Sequence, residues 1–168
     1  MDLKTIGEHL IKELSEELIQ QGHKGTGKLI NSLRQEIKQE GTDRVLRIYA
    51  NYYSKFLANG VGASRIPYTR GSGRKSSKYI EALTQWVIEV LRKSPEAKAR
   101  SIAFAIANTH KKQGMPTSNS YRFSSNGRRL NFIQYVINAN RKFIKDAVAK
   151  EYSNSLKDSI SNIVKKTA

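Results

Sequence analysis

The chain reads as an α+β protein, a small antiparallel hairpin or sheet packed with an N-terminal helix and three C-terminal helices, joined by long basic loops. Three observations predict this. Apolar residues keep three- and four-residue spacing toward both ends of the chain, the period of a helix with one buried face. Residues 32–39 and 45–50 alternate on either side of a turn, the period of paired strands. Residues 62–78 and 114–129 keep neither period and are dense in Gly, Ser and base, as expected of loops that carry function or order on binding. With 168 residues, the chain 1–168 is one domain's length, enough for one real core.

Taken in order, Leu3, Ile6, Leu10, Leu14 and Leu18 stripe a helix over about residues 2–21, with Gly22 as its stop. After Gly25-Thr26-Gly27, Leu33, Gln35 and Ile37 alternate with Arg34, Glu36 and Lys38. Glu40-Gly41-Thr42-Asp43 then supplies turn chemistry before alternation resumes from Val45 to Ala50. Tyr52 to Ala58 suits a short helix closed by Asn59-Gly60. Tyr49, Tyr52, Tyr53 and Phe56 could stack on nucleic-acid bases, but their spacing favours a core face between hairpin and helix.

Beyond the first basic loop, Ile80, Leu83, Trp86, Val87, Val90 and Leu91 make a broad helical stripe ending near Lys93. Ser94-Pro95-Glu96 gives an N-cap, a first-turn proline and an acid for the next helix, whose stripe is Ala99, Ile102, Ala103, Ile106 and His110. Gly114 and Pro116 end it. From Leu130 onward, Ile133, Val136, Ile137, Asn140, Ile144, Ala147, Val148, Tyr152, Leu156, Ile160, Ile163 and Val164 hold helical spacing. About 35 residues exceeds the usual globular helix. Either Ser153-Asn154-Ser155 breaks the helix, or residues 153–168 form a tail that packs on another subunit.

Thirty Lys and Arg against fourteen Asp and Glu give a net charge of +16, and this excess is segregated. Residues 44–80 hold eight bases and no acid, and residues 97–145 hold ten bases and no acid. The remaining twelve bases nearly cancel the acids, so the field points from two segments toward something anionic, DNA or an acidic protein. An evenly basic surface serving solubility would scatter its charge. Arg65, Arg70, Arg74, Lys75, Lys78, Arg122, Arg128 and Arg129 are the expected contacts with DNA or a partner, and of these Arg70, Arg74, Lys75, Arg128 and Arg129 are taken as loop residues dispensable to the fold. Tyr68, Tyr121 and Phe123, set among those bases, are the expected interface anchors. Both loops are expected to be mobile until a partner orders them.

Several chemistries are disfavoured. The chain has no Cys, which excludes disulfides, thiolate metal sites and cysteine nucleophiles. No apolar run approaches the roughly 18–20 residues of a membrane span, and the first residues lack a secretory pattern, so an intracellular origin away from membranes is expected. Gly22-His23-Lys24-Gly25-Thr26-Gly27-Lys28 matches seven positions of a phosphate-binding loop, but Leu29 stands where a magnesium-binding hydroxyl belongs and a helix precedes it. His9, His23 and His110 lack ligand spacing. Glu13, Glu16 and Glu17 beside Lys12 read as a solvated helix face. No enzyme activity, cofactor or metal is expected.

Thr26-Gly27-Lys28-Leu29-Ile30-Asn31-Ser32-Leu33, then the hairpin, then Tyr49-Ala50-Asn51-Tyr52-Tyr53 and Leu57-Ala58-Asn59-Gly60 resemble neck and tail-completion (head-tail connector) proteins of tailed bacteriophages. In that family a Thr-Gly-x-Leu-x-x-Ser opening leads into strands, and a Tyr-Ala-x-Tyr segment ends at a glycine before a long variable loop. The resemblance covers residues 25–62 and continues only as an order of elements. It departs where the family carries an acid before the closing glycine. What it implies is a non-enzymatic virion protein, made in the host bacterial cytoplasm, that assembles as a homo-oligomeric ring with portal, neck or tail proteins and makes non-specific DNA contact. The residues alone leave open a stand-alone, sequence-independent nucleic-acid-binding protein. A toxin or nuclease fragment is disfavoured by the lack of clustered histidines or carboxylates.

Overall fold

A computed structural model of the chain describes all residues except Met1, Thr42, Arg70, residues 72–76, Lys93, Ser94 and Ala168, and the side chains of Lys166 and Thr167. It is mixed α+β, with one two-stranded antiparallel hairpin among the described residues.

Helix α1 spans Leu3–Gln20 and starts where Asp2 Oδ1 accepts the Thr5 backbone N–H at 2.8 Å. Its buried face is the expected stripe, Leu3, Ile6, Leu10, Leu14 and Leu18. The hairpin, β1 (Arg34–Glu40) and β2 (Asp43–Tyr49), lies on this helix in a register that pairs Arg34 with Tyr49, Ile37 with Leu46 and Glu40 with Asp43. Ile37, Leu46 and Ile48 therefore share the face turned to the core. A Cβ on Gly7 would fall 1.7 Å from Gln35 Oε1 and 3.0 Å from Leu46 Cδ1, so the bare backbone there lets the hairpin close on the helix.

Leu29, Ala58, Phe132, Val136 and Ala147 complete this core. Ala58 comes from α2 (Ser54–Asn59), Phe132 and Val136 from α5 (Phe132–Ala139), and Ala147 from α6 (Arg141–Thr167). Asn131 donates its backbone N–H to Ala58 O at 2.8 Å, fixing α5 beside α2.

A second packed unit is the pair α3 (Lys78–Leu91) and α4 (Glu96–Gln113). Ile80 and Val87 are buried on α3, and Ala99, Ala103 and Ala107 are wholly buried on α4, small side chains that let the two helices approach closely. The Tyr79 hydroxyl and His110 Nδ1 share a hydrogen bond of 2.7 Å across the pair. Burial pushes the Tyr79 hydroxyl up to about 12 and lowers His110, so both partners are neutral near pH 7.

Four expectations are corrected. The long C-terminal pattern bends at Asn140, between α5 and α6, whereas Ser153-Asn154-Ser155 stays helical. At the bend Asn140 donates its side-chain amide to Val136 O at 3.0 Å, and its Oδ1 accepts His9 Nε2–H at 2.8 Å, while Phe143 packs on the His9 ring at 4.3 Å. Tyr52, Tyr53 and Phe56 are not core: they are 71%, 37% and 42% exposed, because the six-residue α2 spends its one buried position on Ala58. The segment after Gly114 is not structureless, since Ser118–Phe123 forms a 3-10 turn. Helix α4 begins at Glu96 with Pro95 as its N-cap, and the expected cap Ser94 lies outside the described residues.

Candidate functional site

The two basic segments start side by side. Val61 and Met115 exchange backbone hydrogen bonds, each N–H donating to the other's carbonyl at 2.8 Å, an isolated antiparallel bridge that joins the α3–α4 pair to the core body. From there the segments diverge.

The first runs along α4. Arg65 is exposed at the end of a 3-10 turn, Ala63–Arg65, and Ile66 is buried. Lys111 donates to Ile66 O at 3.2 Å, and the Tyr68 ring lies 6.4 Å from that of Phe104. Tyr68 is thus partly engaged by its own chain, and Lys111 is a tether that the sequence did not reveal. Lys78 is exposed as the first residue of α3, with Glu81 in the same turn. Arg70, Arg74 and Lys75 lie outside the described residues.

The second segment returns to the C-terminal end of α1 and satisfies the carbonyls a helix end leaves unpaired. Ser125 donates its backbone N–H to Gln20 O at 2.8 Å, and the Arg129 guanidinium donates to Gln21 O. Gly22 makes room for this return. It sits at φ +73°, and a Cβ there would fall 2.3 Å from Phe123 O.

Glu17 is the centre of the arrangement. It is 4% exposed, so it is not on the solvated face expected of the Glu13, Glu16 and Glu17 group. Arg128 grips it with two parallel bonds, Nε to Oε1 and Nη2 to Oε2, both 3.0 Å. Gln21 donates to Oε1 at 2.8 Å, and the Asn126 amide reaches both carboxylate oxygens at 3.2 Å. Burial raises the Glu17 carboxyl, but the bonds from Arg128 and Gln21 and the charge of Arg128 outweigh it, leaving the group below its ordinary range. The Arg128 guanidinium also lies 3.5 Å from the Tyr135 ring centroid. His23, lowered by burial and by the charge of Arg129, donates Nε2–H to Arg129 O at 3.1 Å.

Arg128 and Arg129 are therefore engaged by their own chain rather than presented as free loop cations, and the second basic segment is hydrogen-bonded to the end of α1. What this segment presents outward is its 3-10 turn. Tyr121 and Phe123 are 40% and 62% exposed, with Arg122 lying 4.8 Å over the Phe123 ring. A separate exposed patch lies on α2 and the turn before it, where the Lys55 ammonium sits 3.8 Å over Tyr52 and 5.1 Å over Phe56, the two rings meeting edge to face. Sequence spacing assigned those rings to the core, and only the shortness of α2 marked them otherwise.

The cleft lined by Glu13, Glu16, Glu17, Gln20, Tyr135, Val136 and Ala139 holds about 190 Å³, below the roughly 300–1,000 Å³ of small-molecule sites. Among the described residues no group of three His, Cys, Asp or Glu is placed to hold a metal ion, and no helix is long and apolar enough to cross a membrane. Set against protein-family models, curated proteins and solved structures, the chain matches none of them.

Proposed function

We propose that the chain is a non-enzymatic structural subunit of a tailed-phage particle, a virion protein made in the bacterial cytoplasm. Its copies form a neck, head-tail connector or tail-completion ring between portal and tail. The observation that carries this reading is the apolar surface the fold leaves outward. Trp86 and Leu91 on α3, Ile133 and Ile137 on α5, and Tyr152, Leu156 and Ile160 on α6 are each at least 39% exposed. Exposed apolar groups on three helices offer the kind of surface through which a ring subunit meets its neighbours. The resemblance of residues 25–62 to connector proteins supports the same assignment, and the segregated base suits a ring around DNA that is gripped without reading its sequence.

The alternative, a stand-alone sequence-independent nucleic-acid-binding protein, draws support from the exposed Tyr52 and Phe56 rings beside Lys55. Imaging the purified chain, alone and with the portal-side proteins of the same particle, separates the two. The ring reading expects closed rings with a central opening. Particles that remain monomers, or coat DNA without closing, would overturn it.

A further inference from the structure

The sequence holds two Asn-Gly pairs, Asn59-Gly60 and Asn126-Gly127. In such a pair the glycine has no side chain to keep its backbone nitrogen away from the carboxamide of the asparagine before it, so the two groups can react. The fold sets the two pairs in different chemistry. Asn59 is the last residue of α2, and the Gly60 N–H is taken up by the helix end, donating to Phe56 O at 2.9 Å. Gly127 is exposed at φ +71° with open space around it, and its N–H donates to no group among the described residues.

Asn126 presents the carboxamide in an activating setting. Its Oδ1 accepts the Ser124 hydroxyl at 2.8 Å and the Arg128 backbone N–H at 3.1 Å. Two donors on this oxygen hold the negative charge that gathers there when a nucleophile adds to the carbonyl carbon. On the other side, Nδ2 donates to both carboxylate oxygens of Glu17 and to Gln20 Oε1, each at 3.2 Å. Glu17 is buried and its carboxyl lies below the ordinary range, so at neutral pH this acceptor is an anion.

We propose that Asn126-Gly127 is a site of intramolecular deamidation, and that the carboxylate formed there, set against Glu17, unfastens the second basic segment from α1. The Gly127 nitrogen forms a bond to Asn126 Cγ, and the Cγ–Nδ2 bond breaks. Nδ2 leaves as ammonia, carrying the proton that the Gly127 nitrogen gives up. Solvent water then opens the cyclic imide at either carbonyl, which leaves aspartate or its backbone-lengthened isomer, isoaspartate, at position 126. A donor to Glu17 is thereby replaced by a second anion at hydrogen-bond range, where like charges repel. Withdrawal of the segment relieves that repulsion and takes Arg128 from Glu17 and Arg129 from the Gln21 carbonyl. Both cations then pass from holding the fold to facing an anionic partner. The step consumes only water, and the chain has no means of reversing it.

Peptide mass spectrometry of the unaltered full chain, aged under native conditions at mildly alkaline pH, tests the site. Asn126 should convert to a mixture of aspartate and isoaspartate while Asn59 keeps its amide. Surface access alone would give the opposite order, since Asn59 is exposed and Asn126 half-buried. Conversion of Asn59 first, or an Asn126 amide that survives in the native chain while both pairs convert in denaturant, would overturn the assignment. Amide exchange of residues 121–129 tests the consequence. At neutral pH, Asn126→Asp should raise it at least about tenfold above Asn126→Ser, which removes the same donors and adds no charge. The excess should shrink as pH falls and the two carboxyls come to share a proton. Equal exchange in the two variants, or an excess that pH does not move, would overturn the release.

Discussion

Glu17 shows how one buried acid decides the fate of the basic residues around it. Removing it takes from Gln21 and Asn126 one of their two acceptors and leaves the Arg128 guanidinium without its carboxylate, so Glu17→Ala should destabilise the chain by about 1–3 kcal/mol in denaturant unfolding. Because its folded-state carboxyl lies below the ordinary range, its contribution is complete above the unfolded value and disappears as pH falls through the folded one. His23 and His110 act earlier in the same direction. Both are lowered by burial, so protons bind the unfolded chain first and stability falls as pH drops below about 6.5. A thermal-melt series from pH 7.5 to 5 should show this loss, and His23→Gln with His110→Gln should flatten it. Gly22 is the matching backbone case. Gly22→Ala meets both left-handed strain and the Phe123 carbonyl, and should cost about 2 kcal/mol or more, with amide exchange rising first in residues 121–129.

At the level of elements, the amphipathic stripe of α1 and the alternation of the hairpin were legible in the sequence because each depends on a local period. The bend at Asn140 was not. It depends on His9, more than a hundred residues away, accepting no period and leaving no turn signal, while Ser153-Asn154-Ser155 looked like the natural break from composition alone. The partners of Arg128 and Arg129 were hidden for the same reason, since Glu17 and Gln21 reach them only through the fold. Tyr52, Tyr53 and Phe56 were misjudged, while Tyr49 on β2 is half-buried, because spacing gives a face but not the depth of the body behind it. The α3–α4 pair offers a direct check on packing. Ala103 is wholly buried, so Ala103→Leu should overfill the contact and cost about 1–3 kcal/mol, read as a lower unfolding midpoint.

For the whole molecule, the charge of +16 now divides into cations that hold the fold and cations available to a partner. Arg128 and Arg129 belong to the first group. Replacing Arg65, Arg70, Arg74, Lys75, Lys78 and Arg122 by Ala should leave the fold intact and, if they contact DNA, flatten the salt dependence of binding. Each lost phosphate contact removes about 0.9 from the slope of log affinity against log salt, so four contacts amount to roughly −3.6. An unchanged slope with lost binding to the particle's other proteins would assign these cations to protein docking instead.

The central claim, that this chain is a repeated structural part of a phage particle, is tested most directly by counting its copies in purified particles by quantitative mass spectrometry against the portal protein. The account predicts a fixed ring-sized multiple that survives high-salt washing. Absence from washed particles, with the chain recovered on nucleic acid in the cell, would contradict it.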